Sequence, residues 1–109
     1  MRLLSTMTFM LLAAGAWAAP LPPVAKGAPY GKARQTLLAQ GWKPFASPQA
    51  EKCPAGDARC EGRPEMLSCA GTGFARCTFL WRQGKQIVEI GTVGDEERVE
   101  RVRCRSGCR

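Results

Sequence analysis

The sequence predicts an α+β domain: one N-terminal helix packed on a four-stranded antiparallel β-meander and stapled by disulfides. Three observations predict it. Residues 77–93 carry a two-residue alternation on either side of Gly84-Lys85. An amphipathic stretch, residues 29–40, precedes that run and ends in Gly41-Trp42-Lys43-Pro44. Six cysteines fall in a chain of 109 residues that contains no histidine.

Residues 1–18 read as a signal peptide. Arg2 gives a positive start, residues 3–14 are uncharged and largely apolar, and Ala16-Trp17-Ala18 is a small-x-small cleavage site. The apolar run is short for a membrane span and has no stop-transfer flank, so no transmembrane segment is expected after cleavage. Without residues 1–18 the chain keeps 15 basic and 9 acidic residues, a formal charge of +6. Residues 19–28 hold Pro20, Pro22 and Pro23 and read as a flexible leader. Residues 29–109 then form a single small α+β domain.

In the helical stretch, Tyr30, Ala33, Leu37 and Gly41 recur at helical spacing. Pro29 suits a first helical position. Gly41 can take the left-handed conformation that ends a helix, Trp42 can then cover Leu37, and Pro44 prevents continuation. A helix this short is marginal alone, so its apolar stripe is expected to lie on the sheet.

Residues 46–64 read as a long loop, rich in Pro and Gly, that holds Cys53 and Cys60. Residues 65–70 read as a short strand facing residues 77–83 across Gly71-Thr72-Gly73, with Cys69 opposite Cys77 and Leu67 opposite Phe79. Gly84 opens a two-residue hairpin loop. Cys77, Phe79 and Trp81 then face Thr92, Ile90 and Val88 on an apolar side. Thr78, Leu80, Arg82, Ile87, Glu89 and Gly91 form the mixed opposite side, expected to be largely wet. After Gly94-Asp95, residues 96–104 form the last strand. Val99 and Val102 cannot share a face of a regular strand: a three-residue loop aligns Val102 with Val88, and a two-residue loop aligns Val99 with Ile90.

Six cysteines allow 15 pairings. The facing argument selects Cys69–Cys77; proximity favours Cys53–Cys60 and Cys104–Cys108. Zinc is disfavoured, because no C-x-x-C knuckle and no histidine are present. Disulfides persist in exported proteins, so a periplasmic or secreted location is expected.

The absence of histidine removes the usual general base and the nucleophile triads that depend on it. Glu61 and Glu65 are the one carboxylate pair worth testing for acid–base chemistry; the simpler expectation pairs them with Arg59 and Arg63. Gly71-Thr72-Gly73 lacks the third glycine of a phosphate loop, since position 76 is Arg76. No catalytic residue, metal or cofactor is expected. Arg101, Arg103 and Arg105 alternate and project from one strand face, a basic stripe suited to an anionic protein or envelope surface. Reversing all three to Glu is expected to abolish capture and leave the fold intact. Nucleic acid is not expected as a partner, because no stacking aromatics interleave with the arginines.

Gly41-Trp42-Lys43-Pro44, Cys60-Glu61-Gly62-Arg63-Pro64-Glu65, Cys69-Ala70-Gly71-Thr72-Gly73 and Cys77-Thr78-Phe79-Leu80-Trp81 together resemble a group of small exported cysteine-rich proteobacterial proteins. That resemblance implies a bacterial periplasmic setting and carries no activity. The helix-plus-meander outline also looks like modules of periplasmic inhibitors and outer-membrane assembly factors, at the level of fold only. The sequence therefore points to an exported, non-enzymatic, disulfide-stabilised module that binds a macromolecule. The alternatives are an inhibitor of an exported hydrolase acting through the Cys53–Cys60 loop, and a small carboxylate-dependent hydrolase.

Overall fold

The structure is a computed structural model and describes residues 20–108. The expected signal peptide, residues 1–18, lies outside the described residues. Helix α1 spans Tyr30–Ala39; the strands are β1 Lys43–Pro44, β2 Met66–Cys69, β3 Cys77–Gln83, β4 Gln86–Val93 and β5 Arg98–Ser106. All strand pairs are antiparallel.

The β3–β4 hairpin has the register expected from its alternation, from Cys77 opposite Thr92 to Gln83 opposite Gln86. Gly84 turns the chain at φ 59°, a left-handed value that costs glycine no steric clash. Phe79, Trp81, Val88 and Ile90 are all buried on one face. Tyr30, Ala33 and Leu37 of α1 close over them, and the Tyr30 ring stacks on Phe79 with centroids 3.8 Å apart. Pro29 caps α1 with extended backbone angles and is not its first helical residue. At the other end Trp42 N–H donates to Leu37 C=O (2.9 Å) and Gly41 N–H to Leu38 C=O (3.1 Å). Gly41 sits at φ 84°, so the helix ends in the paired-bond motif that glycine allows, with Trp42 and Leu37 both buried.

Three expectations are corrected. First, the sheet has five strands, not four, in the order β1-β3-β4-β5, with β2 also on β3. The four-residue β2 covers only the Cys77–Phe79 end of β3, so the remaining edge needs another partner. Lys43 and Pro44 take it, opposite Arg82 and Trp81. Leu80 is the point of handover: its N–H donates to Glu65 C=O (2.8 Å) and its C=O accepts from Phe45 N–H (3.0 Å). Second, Met66 rather than Leu67 faces Phe79. An extra residue bulges β2 at Leu67, which turns Met66 into the core. Third, neither expected alignment of β5 occurs. Val99 faces Thr92 and Val102 faces Ile90, with the register shifting between Gly91 and Thr92. The extra residue is Glu100. It flips the alternation once, so both valines reach the core side.

The segment read as a flexible leader makes several contacts in its described part. Pro22 is buried and Val24 packs on the core. Gly27 N–H donates to Val99 C=O (2.8 Å), Val99 N–H to Ala28 C=O (2.9 Å), and Tyr30 N–H to Glu97 C=O (2.9 Å). The start of the domain is thereby laced to the edge of its last strand. Disulfides join Cys53–Cys60, Cys69–Cys77 and Cys104–Cys108, the same three pairs inferred from the sequence. Residues 46–64 contain no helix or strand, but Glu51 N–H donates to Leu67 C=O (2.8 Å) and Arg59 Nη1 to Ala70 C=O (2.8 Å), which fastens the loop along β2.

Candidate binding face

The sheet has a helix on one face only, and the opposite face gathers the charges. Cross-strand partners share a face. Lys43 lies opposite Arg82, Arg82 opposite Ile87, Leu80 opposite Glu89, Glu89 opposite Arg103, and Gly91 opposite Arg101. Arg105, the extra residue where the β4–β5 register shifts again between Ile87 and Val88, reaches this face through its bond to Glu89. Arg76 joins at the end through Glu100, donating to both carboxylate oxygens (3.1 and 3.2 Å). Arg101 approaches the same carboxylate at 3.8 Å. Six cations thus meet two carboxylates, a surplus of four positive charges.

This face is less wet than expected, because Leu80, Glu89 and Gly91 on it are buried. Long arginine side chains are the cover. A Cβ on Gly91 would fall 2.7 Å from Arg101 Cγ, so glycine is what lets that side chain lie flat. Arg103 Nε and Arg105 Nη1 donate to the two oxygens of Glu89 at 2.8 and 2.6 Å. The Glu89 side chain is only 8% exposed, so two guanidiniums close over one carboxylate. Arg82, by contrast, donates only to the C=O of Gly84 among the described residues.

The Glu89 clamp corrects one expectation: reversing Arg103 and Arg105 to Glu would crowd carboxylates around a group that is already buried, and the fold would not be left intact. Burial alone would raise the Glu89 pKa; hydrogen bonds from Arg103 and Arg105 outweigh it and hold the carboxyl below its ordinary range. A depressed carboxylate adds stability that is whole above the unfolded-state pKa, about 4.3. That stability is lost as pH falls through the lower folded-state value. Urea unfolding between neutral pH and strong acid should therefore show a loss of stability below about pH 4.3 that is shallower in Glu89→Gln. Equal acid slopes in the two proteins would count against the clamp.

Glu61 and Glu65 are not brought into one environment. Glu61 is exposed, whereas Glu65 is fully buried. Glu65 Oε1 accepts from the Tyr30 hydroxyl (3.0 Å) and from Arg34 Nε (2.6 Å), and Trp81 Nε1 donates to the Tyr30 oxygen (3.1 Å). Oε2 is buried with no hydrogen-bond partner among the described residues. Burial first, then the Glu65 charge, push the Tyr30 phenol far above its ordinary range, so it remains a donor and cannot act as a base near neutrality. The expected pairings with Arg59 and Arg63 are corrected as well. Arg59 pairs with Asp57, Arg63 with Glu97, and Glu65 with Arg34. Arg63 is positioned over the Tyr30 ring at 4.8 Å, which explains why it turns from the loop toward the core. A shallow groove of about 380 Å³ lies beside the Cys53–Cys60 loop, lined by Glu51, Cys53, Cys60, Arg63, Pro64 and Met66.

Of the sequence-derived site residues, Arg101, Arg103 and Arg105 do fall on one face. Missed were Arg76 and Arg82, Lys43, whose strand was not foreseen, and Glu89 as the anchor beneath two of the arginines. Glu89 had a visible signal: it alternates in phase with Ile87 and Gly91. The chain matches no protein family, no curated protein and no solved structure. No described helix is long and apolar enough to cross a membrane.

Proposed function

We propose that the protein is an exported, non-enzymatic binding module that takes an anionic macromolecular surface on the open face of its sheet. The observation that carries this is the surplus of four positive charges on one sheet face, with two guanidiniums already fixed by a buried carboxylate. Side chains held before binding lose less freedom when a partner arrives. Arginine favours partners that present carboxylates, phosphates or sulfates, because its planar fork donates two parallel hydrogen bonds. Three disulfides support a periplasmic or secreted location, since such bonds persist where the environment is oxidising.

The test is binding to soluble dextran sulfate at several salt concentrations. Any basic protein binds a polyanion weakly, so position must be separated from net charge. Lys43→Glu with Arg82→Glu alters the face without disturbing the Glu89 clamp. Lys26→Glu with Lys32→Glu makes the same charge change on exposed residues of the leader and of α1. The face variant should bind about tenfold more weakly and lose much of its salt dependence. The control should change far less. Equal losses in both would mean that the face has no special role.

A further inference from the structure

Phe74 is the most exposed large hydrophobic residue described, at 71%. It stands at the tip of the loop between β2 and β3, and the loop is built to hold it there. Ala70 N–H donates to Arg76 C=O (2.7 Å) across the loop base, and Gly94 N–H donates to the C=O of Phe74 itself (2.7 Å). Gly73 and Ala75, on either side, have φ of 73° and 50°. Glycine takes such angles freely, whereas alanine does so against its own Cβ. Backbone strain of that kind persists where surrounding bonds over-determine it, and it gathers at functional positions. Here it flanks an aromatic ring left largely in the open.

The ring is not isolated from the cationic face. The Arg76 guanidinium lies 5.2 Å over the Phe74 ring. The same guanidinium holds Glu100, and Glu100 meets Arg101. An apolar tip, its stacked arginine and the arginine-lined sheet therefore form one continuous surface.

We propose that this surface docks on an anionic phospholipid membrane, with Phe74 inserted at the level of the headgroups and the open sheet face against them. The inference rests on the reading of that face as an anion-binding surface and names its partner. A lipid interface accepts a single projecting aromatic ring without a matching pocket, whereas a protein partner would have to supply one. Arginine stems can lie along the apolar boundary while their heads stay with phosphate. Each cation near such a surface is worth about fivefold in partitioning, so attachment is reversible and salt-sensitive.

The experiment is co-sedimentation of the oxidised protein with vesicles of phosphatidylglycerol and phosphatidylcholine in equal parts, and with phosphatidylcholine alone. Dextran sulfate binding is measured in parallel. The wild type should bind only the anionic vesicles. Phe74→Ala should lower partitioning about tenfold and leave dextran sulfate binding unchanged. Phe74→Trp should restore partitioning, and brominated phosphatidylglycerol should quench its emission. Lys43→Glu with Arg82→Glu should weaken both kinds of binding. Binding to dextran sulfate without binding to anionic vesicles would overturn the membrane assignment, leave the anion-binding face standing and point to an acidic protein. Failure on both would overturn the face as well. Unchanged vesicle binding by Phe74→Ala, or an equal loss on dextran sulfate, would remove Phe74 from the docking surface.

Discussion

Arg34→Ala should destabilise the domain by about 3 kcal/mol, the low end of what stranding one member of a buried ion pair costs. The estimate sits at that end because the Arg34 side chain is itself 27% exposed, so its removal opens a path for water. The physical origin is Glu65, which has no exposure and whose Oε2 already lacks a partner among the described residues. Without Arg34, a single neutral hydroxyl, that of Tyr30, would face the charge. A domain of this size has about 5–15 kcal/mol in all, so the loss is a large share. Glu65→Gln in the same background should recover most of it, because an amide oxygen still accepts from Tyr30 and needs no counterion. Urea titration of the two single variants and the double variant measures the coupling. A cost below about 1 kcal/mol for Arg34→Ala, or no recovery in the double variant, would show that water already reaches Glu65.

Reduction of all three disulfides should unfold the domain. The bridges close separations of 7, 8 and 4 residues, for which chain entropy gives about 2.5, 2.5 and 2 kcal/mol. Together they match the stability expected of a small domain. The contributions differ in kind. Cys77 is buried and Cys69 packs against the core, so removing that pair also disturbs the contact between β2 and β3. Cys104 is exposed among the last residues of β5 and Cys108 only rests against the core, so losing that bridge should fray the end of β5 without global unfolding. Near-UV circular dichroism with and without reductant tests this, alongside paired Ala replacements at each bridge. A reduced protein that keeps its cooperative transition at the oxidised midpoint would refute the claim.

Some of this architecture was legible in the sequence and some was not, for definable reasons. The β3–β4 hairpin was readable because Gly84 fixes the turn and any slip would send Glu89 to the side of Phe79 and Trp81. Helix α1 was readable from Gly41 and Trp42, whose bonds to Leu38 and Leu37 end it. Strand β1 was not readable: two residues, one of them a proline, carry no alternation, and only the vacant half of β3 calls them into the sheet. The bulges at Leu67 and Glu100 were hidden for a related reason, since an extra residue is tolerated where the core demands it. The odd spacing of Val99 and Val102 is the mark of one, since valines three apart share a side only across an extra residue. On the binding face, the arginine stripe was visible, but its geometry was not. Sequence spacing places Arg103 and Arg105 together without disclosing that Glu89, 14 and 16 residues earlier, lies beneath them.

The hydrogen bonds that tie Gly27, Ala28 and Tyr30 to Glu97 and Val99 make the entry into α1 depend on the approach to β5 and its second residue. A chain emerging N-terminus first, from a ribosome or a pore, would present α1 long before the strand that secures it exists. Assembly must wait until β5 has been delivered, and any fragment truncated before β5 should stay unstructured. A small domain knit together in this way closes only once that strand is in place.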